Sequence, residues 1–254
     1  MDTLKVKFIG HATCEIEMDG SRILTDPNFS SSIFLIKRAA PLPIEPREIS
    51  QPNVVLISHC HYDHLDVGSF SYINSKVTIV MPEGTKDVLQ KFINNPIIEL
   101  GKWASHKFSD GLEIMAVPNK HRGGRLSALR YTNSNGYLIT KNNKTVYYCG
   151  DSSYGTHFKD IGAAKAIDVA ILPIGAYKPE WFMKNMHMDP KDAVEAFETL
   201  NAKHMIPIHW GTFKLSLEPI NEPIEWLKKI IDNKGLTDKI HILNQGEAYS
   251  SASK

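Results

Sequence analysis

In the stretch Ser58-His59-Cys60-His61-Tyr62-Asp63-His64-Leu65-Asp66, three imidazoles and a carboxylate fall within six residues. Neutral imidazole and carboxylate are ordinary zinc ligands, and four of them at this spacing can serve two ions rather than one. The chemistry open to such a group is hydrolysis, because a bound ion acidifies water and neutralises the charge that grows on an attacked oxygen. Just before it runs Val54-Val55-Leu56-Ile57, a short, β-branched segment preceded by Pro52-Asn53 that reads as a buried strand. Side chains alternate along a strand, so His59 and His61 point the same way where it ends, and Asp63 and His64 follow on a tight loop.

Four ligands from one loop leave two ions under-coordinated. Three other residues have the right setting, each just past the C-terminal end of an apolar strand, where open sheets place their chemistry. His121 follows Leu112 to Val117 and the breaker Pro118-Asn119. Asp151 follows Thr145 to Cys149 and Gly150, and His209 follows Met205 to Ile208. Any one of them alone reads as a satisfied surface or core residue; their shared position makes them a set.

The elements that must carry these residues follow from periodicity. Lys5 to Ile9 reads as a strand, and Cys14–Met18 and Arg22–Thr25 as a hairpin about Asp19-Gly20. Residues 27–53 hold five prolines and read as a long loop. Asp66 to Ile73 is predicted as a short helix capped by Asp66, Val77 to Met81 as a strand and Glu83 to Phe92 as a helix. Ile97–Leu100, Trp103–Phe108 and Leu112–Val117 are expected as successive strands of one sheet. A second half begins near Gly136, with strands at Tyr137–Thr140, Thr145–Cys149, Asp168–Leu172 and Met205–Ile208. Asp189-Pro190 opens the clearest helix, with Ala193, Val194, Phe197 and Leu200 on one face. Pro223–Ile231 is a further helix and Ile240–Leu243 a last strand. The class is α/β or α+β with two sheets.

A net charge of +1 over 254 residues gives no field for nucleic acid or anionic lipid across the whole surface. Cys14, Cys60 and Cys149 are odd in number and lack paired spacing, which suits a reducing compartment. With no basic-then-apolar leader and no long apolar run, a cytoplasmic location is expected.

On these residues the chain resembles the metallo-β-lactamase-fold hydrolases, whose hallmark is His-x-His-x-Asp-His. More closely it resembles the branch of N-acylphosphatidylethanolamine-hydrolysing phospholipase D and its bacterial relatives. The likeness is carried in order by Ile9-Gly10-His11-Ala12-Thr13, Leu24-Thr25-Asp26-Pro27, Ile57 to Asp66, Cys149-Gly150-Asp151-Ser152, Leu172 to Tyr177, Trp181-Phe182-Met183 through Pro190, and Ile208 to Phe213. The resemblance implies one domain over 1–254, a two-sheet αβ/βα sandwich whose halves meet near 126–136, with metals at one edge between them. It implies one zinc on His59, His61 and His121, another on Asp63, His64 and His209, and Asp151 bridging; manganese or iron are alternatives. Asp63 and Asp151 would also fix the attacking hydroxide. Asp26 would orient a ligand imidazole, or else is a turn residue before Pro27.

The implied substrate is a small or lipid phosphodiester, with a lactone or carboxylic ester as the alternative. In the branch, the histidine matching His187 sits beside the substrate phosphate, so His187 would bind phosphate or protonate the leaving group. Arg122 and Arg125, in the basic run from Lys120, would hold a phosphate or form a solvated loop. Ile33-Phe34-Leu35-Ile36 and Lys37-Arg38 would touch a membrane peripherally or form a strand packed under the long loop; the latter is the expectation. No nucleic-acid partner is expected, and self-association is left open. His11, His106, His157, His204 and His241 are read as structural.

Overall fold

Alternating burial builds the first strands, β1 (Leu4–Gly10), β2 (Thr13–Met18) and β3 (Ser21–Thr25), in the computed structural model, which describes residues 3–125 and 131–251. Asp19 and Gly20, at φ 44° and 84°, make the expected turn between β2 and β3. The long loop carries a small hairpin, β4 (Ser32–Ile33) and β5 (Ile36–Lys37). Three strands follow: β6 (Val54–Leu56), β7 (Thr78–Pro82) and β8 (Ile97–Leu100). Next come β9 (Ser105–Lys107), β10 (Glu113–Pro118), the short pair β11 (Gly123–Gly124) and β12 (Tyr131–Thr132), β13 (Asn135–Lys141) and β14 (Lys144–Tyr148). β15 (Val169–Pro173), β16 (His204–Ile208) and β17 (Ala248–Ser250) complete the strands.

One sheet has the order β17-β1-β2-β3-β6-β7-β8 and the other β16-β15-β14-β13-β10-β9. Between them lies a core of Phe8, Ile16, Ile23 and Leu56 from the first sheet against Ile114, Ile139, Tyr148 and Ile171 from the second. Each sheet is also covered outside. The first buries Ile9, Leu24, Val55 and Ile79 beneath Phe70 and Leu89. The second buries Leu138, Tyr147, Ala170 and Leu172 against three helices, α2 (His157–Ala164), α4 (Pro190–Leu200) and α5 (Glu222–Lys234). The remaining helices, α1 (Lys86–Leu89) and α3 (Glu180–Met183), are single turns. The expected two-sheet sandwich is thus the observed architecture. Among the described residues, no helix is long and apolar enough to cross a membrane.

Several local expectations are corrected. Asp66 does cap the next segment, accepting from the Gly68 N–H, but Val67–Tyr72 is a 3₁₀ helix. The helix expected over Glu83–Phe92 shrinks to the one turn of α1, because the Glu99 carboxylate takes the Thr85 and Lys86 N–H groups at 2.7 and 2.8 Å and starts the turn there. Ile97–Leu100 does not share a sheet with the strands after it: β8 edges the first sheet and β9 edges the second, so the chain crosses at 101–104. Ile240–Leu243 makes only a bridge from Ile240 to Met205, and the last strand is β17, paired with β1. The strand expected beneath the long loop is instead a hairpin tip, with Phe34 67% and Leu35 97% exposed. Residues 126–130 of the expected junction near 126–136 lie outside the described residues.

Helix α2, invisible to the periodicity reading, anchors its layer through Phe158, which is fully buried and meets the rings of Tyr147 and Tyr154. Phe158→Ala should lower unfolding free energy by about 3–5 kcal/mol, measured by denaturant titration, and leave metal content unchanged.

Candidate metal centre

Strand ends build the site. β1 delivers His11, β3 Asp26, β6 Ser58 and His59, β10 Asn119 and His121, β14 Gly150 and Asp151, and β16 His209. His11, Asp26 and His209 have φ of 56°, 34° and 62°, conformations costly for residues with a Cβ, and Ala176 beside them has 66°. Such strain persists only where surrounding structure enforces it. Here the His11 carbonyl accepts the His209 N–H at 2.8 Å. Two glycines permit the approach of the loops: a Cβ on Gly150 would lie 2.4 Å from Ser58 Cβ, and one on Gly175 2.1 Å from the His209 carbonyl oxygen.

Seven residues expected as ligands come together in two groups joined at one carboxylate. His61 Nδ1 lies 2.9 Å from His59 Nε2 and 3.2 Å from His121 Nε2. In the second group, His64 Nε2 and His209 Nε2 are 3.3 and 3.4 Å from Asp63 Oδ2. Asp151 stands between them, with Oδ2 3.2 Å from His64 and 4.0 Å from His59, and Oδ1 3.4 Å from His209. Bonds of about 2.0–2.1 Å arranged tetrahedrally would set ligand atoms about 3.3 Å apart, which these spacings approach. The second test is chemical. His64 Nε2, His209 Nε2 and Asp151 Oδ1 are buried without any hydrogen-bond partner, a costly state for a protein to hold unless a cation satisfies it. The residues therefore fit a metal centre.

The remaining ring atoms explain which nitrogen faces inward. The His64 Nδ1–H donates to Asp26 Oδ2 at 2.6 Å. The Ser58 hydroxyl and Tyr148 hydroxyl donate to the same carboxylate oxygen at 2.5 and 2.6 Å, and Ser58 N–H to Oδ1 at 2.7 Å. With its own proton committed to Asp26, Ser58 Oγ accepts His59 Nδ1–H at 2.9 Å. The His121 Nδ1–H donates to the Met186 carbonyl at 2.9 Å. Each partner engages Nδ1 and leaves Nε2 turned inward, the atom through which these rings would meet a metal. Asp26 is thus a hub for two imidazoles rather than a turn residue. The Asn119 amide donates to the carbonyls of Cys149 and Asp151 at 2.7 and 3.0 Å and ties the His121 loop to the Asp151 loop.

Electrostatics divide the two donor groups. Burial pushes His59 well below the usual imidazole range and His61 down to about 4, so both carry free lone pairs at neutral pH. Burial pulls on His64 and His209 too, but nearby carboxylates, Asp151 foremost, outweigh it and hold both above the usual value. Burial would raise Asp63 and Asp151, yet the surrounding imidazoles hold both well below the usual carboxylate range.

Other expected residues fare differently. His187 Nδ1 lies 3.6 Å from Asp151 Oδ2, buried and without a hydrogen bond, so it adjoins the cluster directly. The α4 N-terminus beside it is occupied: the Asp189 carboxylate accepts the Asp192 N–H at 2.8 Å. Arg122 lines a groove of about 600 Å³ beside His121, with Lys120, Phe182, Asn185 and Met186. Arg125 is engaged by the histidine loop itself. Its Nε donates to the Cys60 carbonyl at 2.9 Å, another N–H goes to the Leu65 carbonyl, and its face covers the Tyr62 ring. It braces the histidine loop. His11, read as structural, is instead inside the cluster, with Nε2 2.9 Å from Asp63 Oδ2. Its only sequence signal was its place after an apolar strand, in the stretch Gly10-His11-Ala12-Thr13.

The family model described as the β-lactamase superfamily domain matches residues 21–210, a span reaching from β3 to just past His209. The chain belongs to the β-lactamase superfamily. It is similar to the N-acyl-phosphatidylethanolamine-hydrolyzing phospholipase D 1 of Caenorhabditis elegans, 30% identical over 97% of this chain and 76% of that protein. It is also similar to a metal-dependent hydrolase of Methanopyrus kandleri, 29% identical over 97% of this chain and 99% of that one. Among solved structures, a metallo hydrolase from the archaeon Ignicoccus hospitalis superposes with a TM-score of 0.75 at 24% identity, covering 99% of this chain and 100% of that one; this likeness shows the fold. As a member of the superfamily, the chain is a metal-dependent hydrolase of the metallo-β-lactamase fold.

Two substitutions test the architecture of the centre. Asp26→Ala should weaken metal binding about 10–100-fold, read by competition with a chelator. Gly175→Ala should fold but bind less metal, because the added methyl must displace His209; full metal content in that variant would show that His209 does not depend on the close approach.

Proposed function

We propose that the chain is a dinuclear zinc hydrolase that cleaves a phosphodiester, carried by a lipid or a smaller analogue. The observation that carries this reading is the pair of donor groups meeting at Asp151, one of three imidazoles and one of Asp63, His64 and His209. The nitrogen and oxygen donors suit zinc, with manganese or iron as alternatives. Two such ions would supply a water activated at neutral pH and neutralise charge on the phosphoryl oxygens.

The chain's own residues then divide the remaining work. Asp151 and Asp63, ionised and aimed inward, orient the attacking water by accepting its hydrogens. Beside Asp151, His187 is within reach of a phosphoryl or leaving-group oxygen, where its ring N–H donates. Arg122 and Lys120 edge the groove beside His121 and favour an anionic substrate. A lipid substrate is supported by exposed apolar residues on both sides of the centre. On one side the Phe34 ring lies 4.6 Å from that of Tyr62, within the histidine loop. On the other, exposed Phe182 lines the groove beside His121, next to exposed Trp181. Cys14, Cys60 and Cys149 are buried and outside any disulfide, which fits a cytoplasmic placement.

The zinc-loaded protein should hydrolyse a chromogenic phosphodiester faster than a lactone or carboxylic ester; the reverse order would replace this reading with the ester one. His187→Ala should keep its metal and lose about thirty- to a thousandfold in phosphodiester rate, the cost of a transition-state hydrogen bond of about 2–4 kcal/mol. Replacing Phe34 and Leu35 together by serine should lower the rate on a phosphodiester lipid in mixed micelles and leave that on the soluble substrate unchanged. Equal effects on both substrates would remove the hairpin from lipid recognition.

A further inference from the structure

We infer that His11 is a positioning residue for the Asp63 carboxylate: its Nε2–H occupies one lone pair of Oδ2 and leaves the other turned to the cation site shared with His64, His209 and Asp151. The inference rests on the metal-binding reading of that cluster.

Pairing together with distance sets His11 apart: its Nε2 faces a carboxylate oxygen, whereas the equally short contact of His59 and His61 joins two ring nitrogens. Asp63 Oδ2 is 3.3 and 3.4 Å from the His64 and His209 nitrogens, the spacing of atoms around a common ion. It is 2.9 Å from His11 Nε2, a hydrogen-bond length. A carboxylate oxygen has lone pairs for both partners at once. The other donors of the cluster show why such a partner is needed. His64 has Asp26, His59 has Ser58, and His121 has the Met186 carbonyl. Asp63 lies on a turn with its side chain 14% exposed, against 0–2% for His64, His209 and Asp151. Of the carboxylates and imidazoles around that cation site, it is the one with an open path to solvent.

His11 itself cannot move. Its N–H donates to Thr212 Oγ1 at 2.8 Å, and its carbonyl accepts the His209 N–H at the same distance. Its ring packs at 4.0 Å from the His209 ring and meets Phe213 edge-on. Thr212 in turn accepts from Gln245 at 3.0 Å, so the segment after β16 is fastened from both sides. The backbone at φ 56° is the cost of aiming the ring at Asp63 rather than along the strand. One residue therefore fixes Asp63 through its side chain and His209 through its backbone.

The test compares wild type with His11→Phe, which keeps a packed ring without the donor, and His11→Gln, whose amide N–H reaches where Nε2–H did. Metal retained per chain is measured after dialysis against graded chelator, and thermal unfolding of the metal-free proteins is followed alongside. His11→Phe should hold one of its two ions about 10–100-fold more weakly than wild type and the other normally. His11→Gln should recover affinity to within about threefold, with both metal-free variants unfolding near wild type. Wild-type affinity at both sites in His11→Phe would overturn the inference alone. Equal loss in His11→Gln and His11→Phe would overturn it in favour of His11 as a direct ligand. A wild type that binds no ion would overturn the metal reading beneath it.

Discussion

A fully buried carboxylate, Asp26, is the constraint on which the rest of the site depends. Burying a carboxyl group is tolerable only when its oxygens are satisfied, and the hydrogen bonds it receives come from three parts of the fold. Ser58 brings the end of β6, Tyr148 the end of β14 in the opposite sheet, and His64 the histidine loop. The network therefore closes the sandwich at its metal edge and sets two ring orientations in one stroke. Because Ser58 passes the constraint on to His59, both donor groups are registered against the same carboxylate.

The same economy creates a cost. Imidazole nitrogens face one another across 2.9–3.2 Å, and several inward atoms have no partner. Three residues at the strand ends hold left-handed backbone against their side-chain preference, His11, Asp26 and His209. None of this would persist for stability's sake. It is the arrangement of a site built for metal, whose inward atoms a cation would satisfy.

The clustering of the histidine loop was legible because its donors are local: a strand's alternation followed by a turn specifies their relation. His121, Asp151 and His209 were legible through position, each just beyond an apolar strand. His11 shares that position, but one histidine after a strand looks the same whether it fills space or grips a carboxylate; only the distance to Asp63 tells. The carbonyl contacts of Arg125 were not legible for the converse reason, since a basic loop looks alike whether its guanidinium meets solvent, phosphate or two backbone carbonyls. The passage from β8 to β9 between sheets leaves no trace, because edge strands of either sheet carry the same pattern. The last strand was misplaced because Ile240 and Leu243 are apolar for packing, whereas Ala248–Ser250 is short, largely exposed at a sheet edge and pairs through its backbone.

On the proposed reading these residues hold two ions joined at Asp151. Diffraction data from crystals of the zinc-loaded protein, collected on both sides of the zinc absorption edge, test it directly. Two anomalous peaks are expected, each against Asp151, one about 2.0–2.2 Å from the ligand atoms of His59, His61 and His121 and the other equally close to those of Asp63, His64 and His209. A single peak, or zinc bound elsewhere while only water fills the space among these residues, would contradict it.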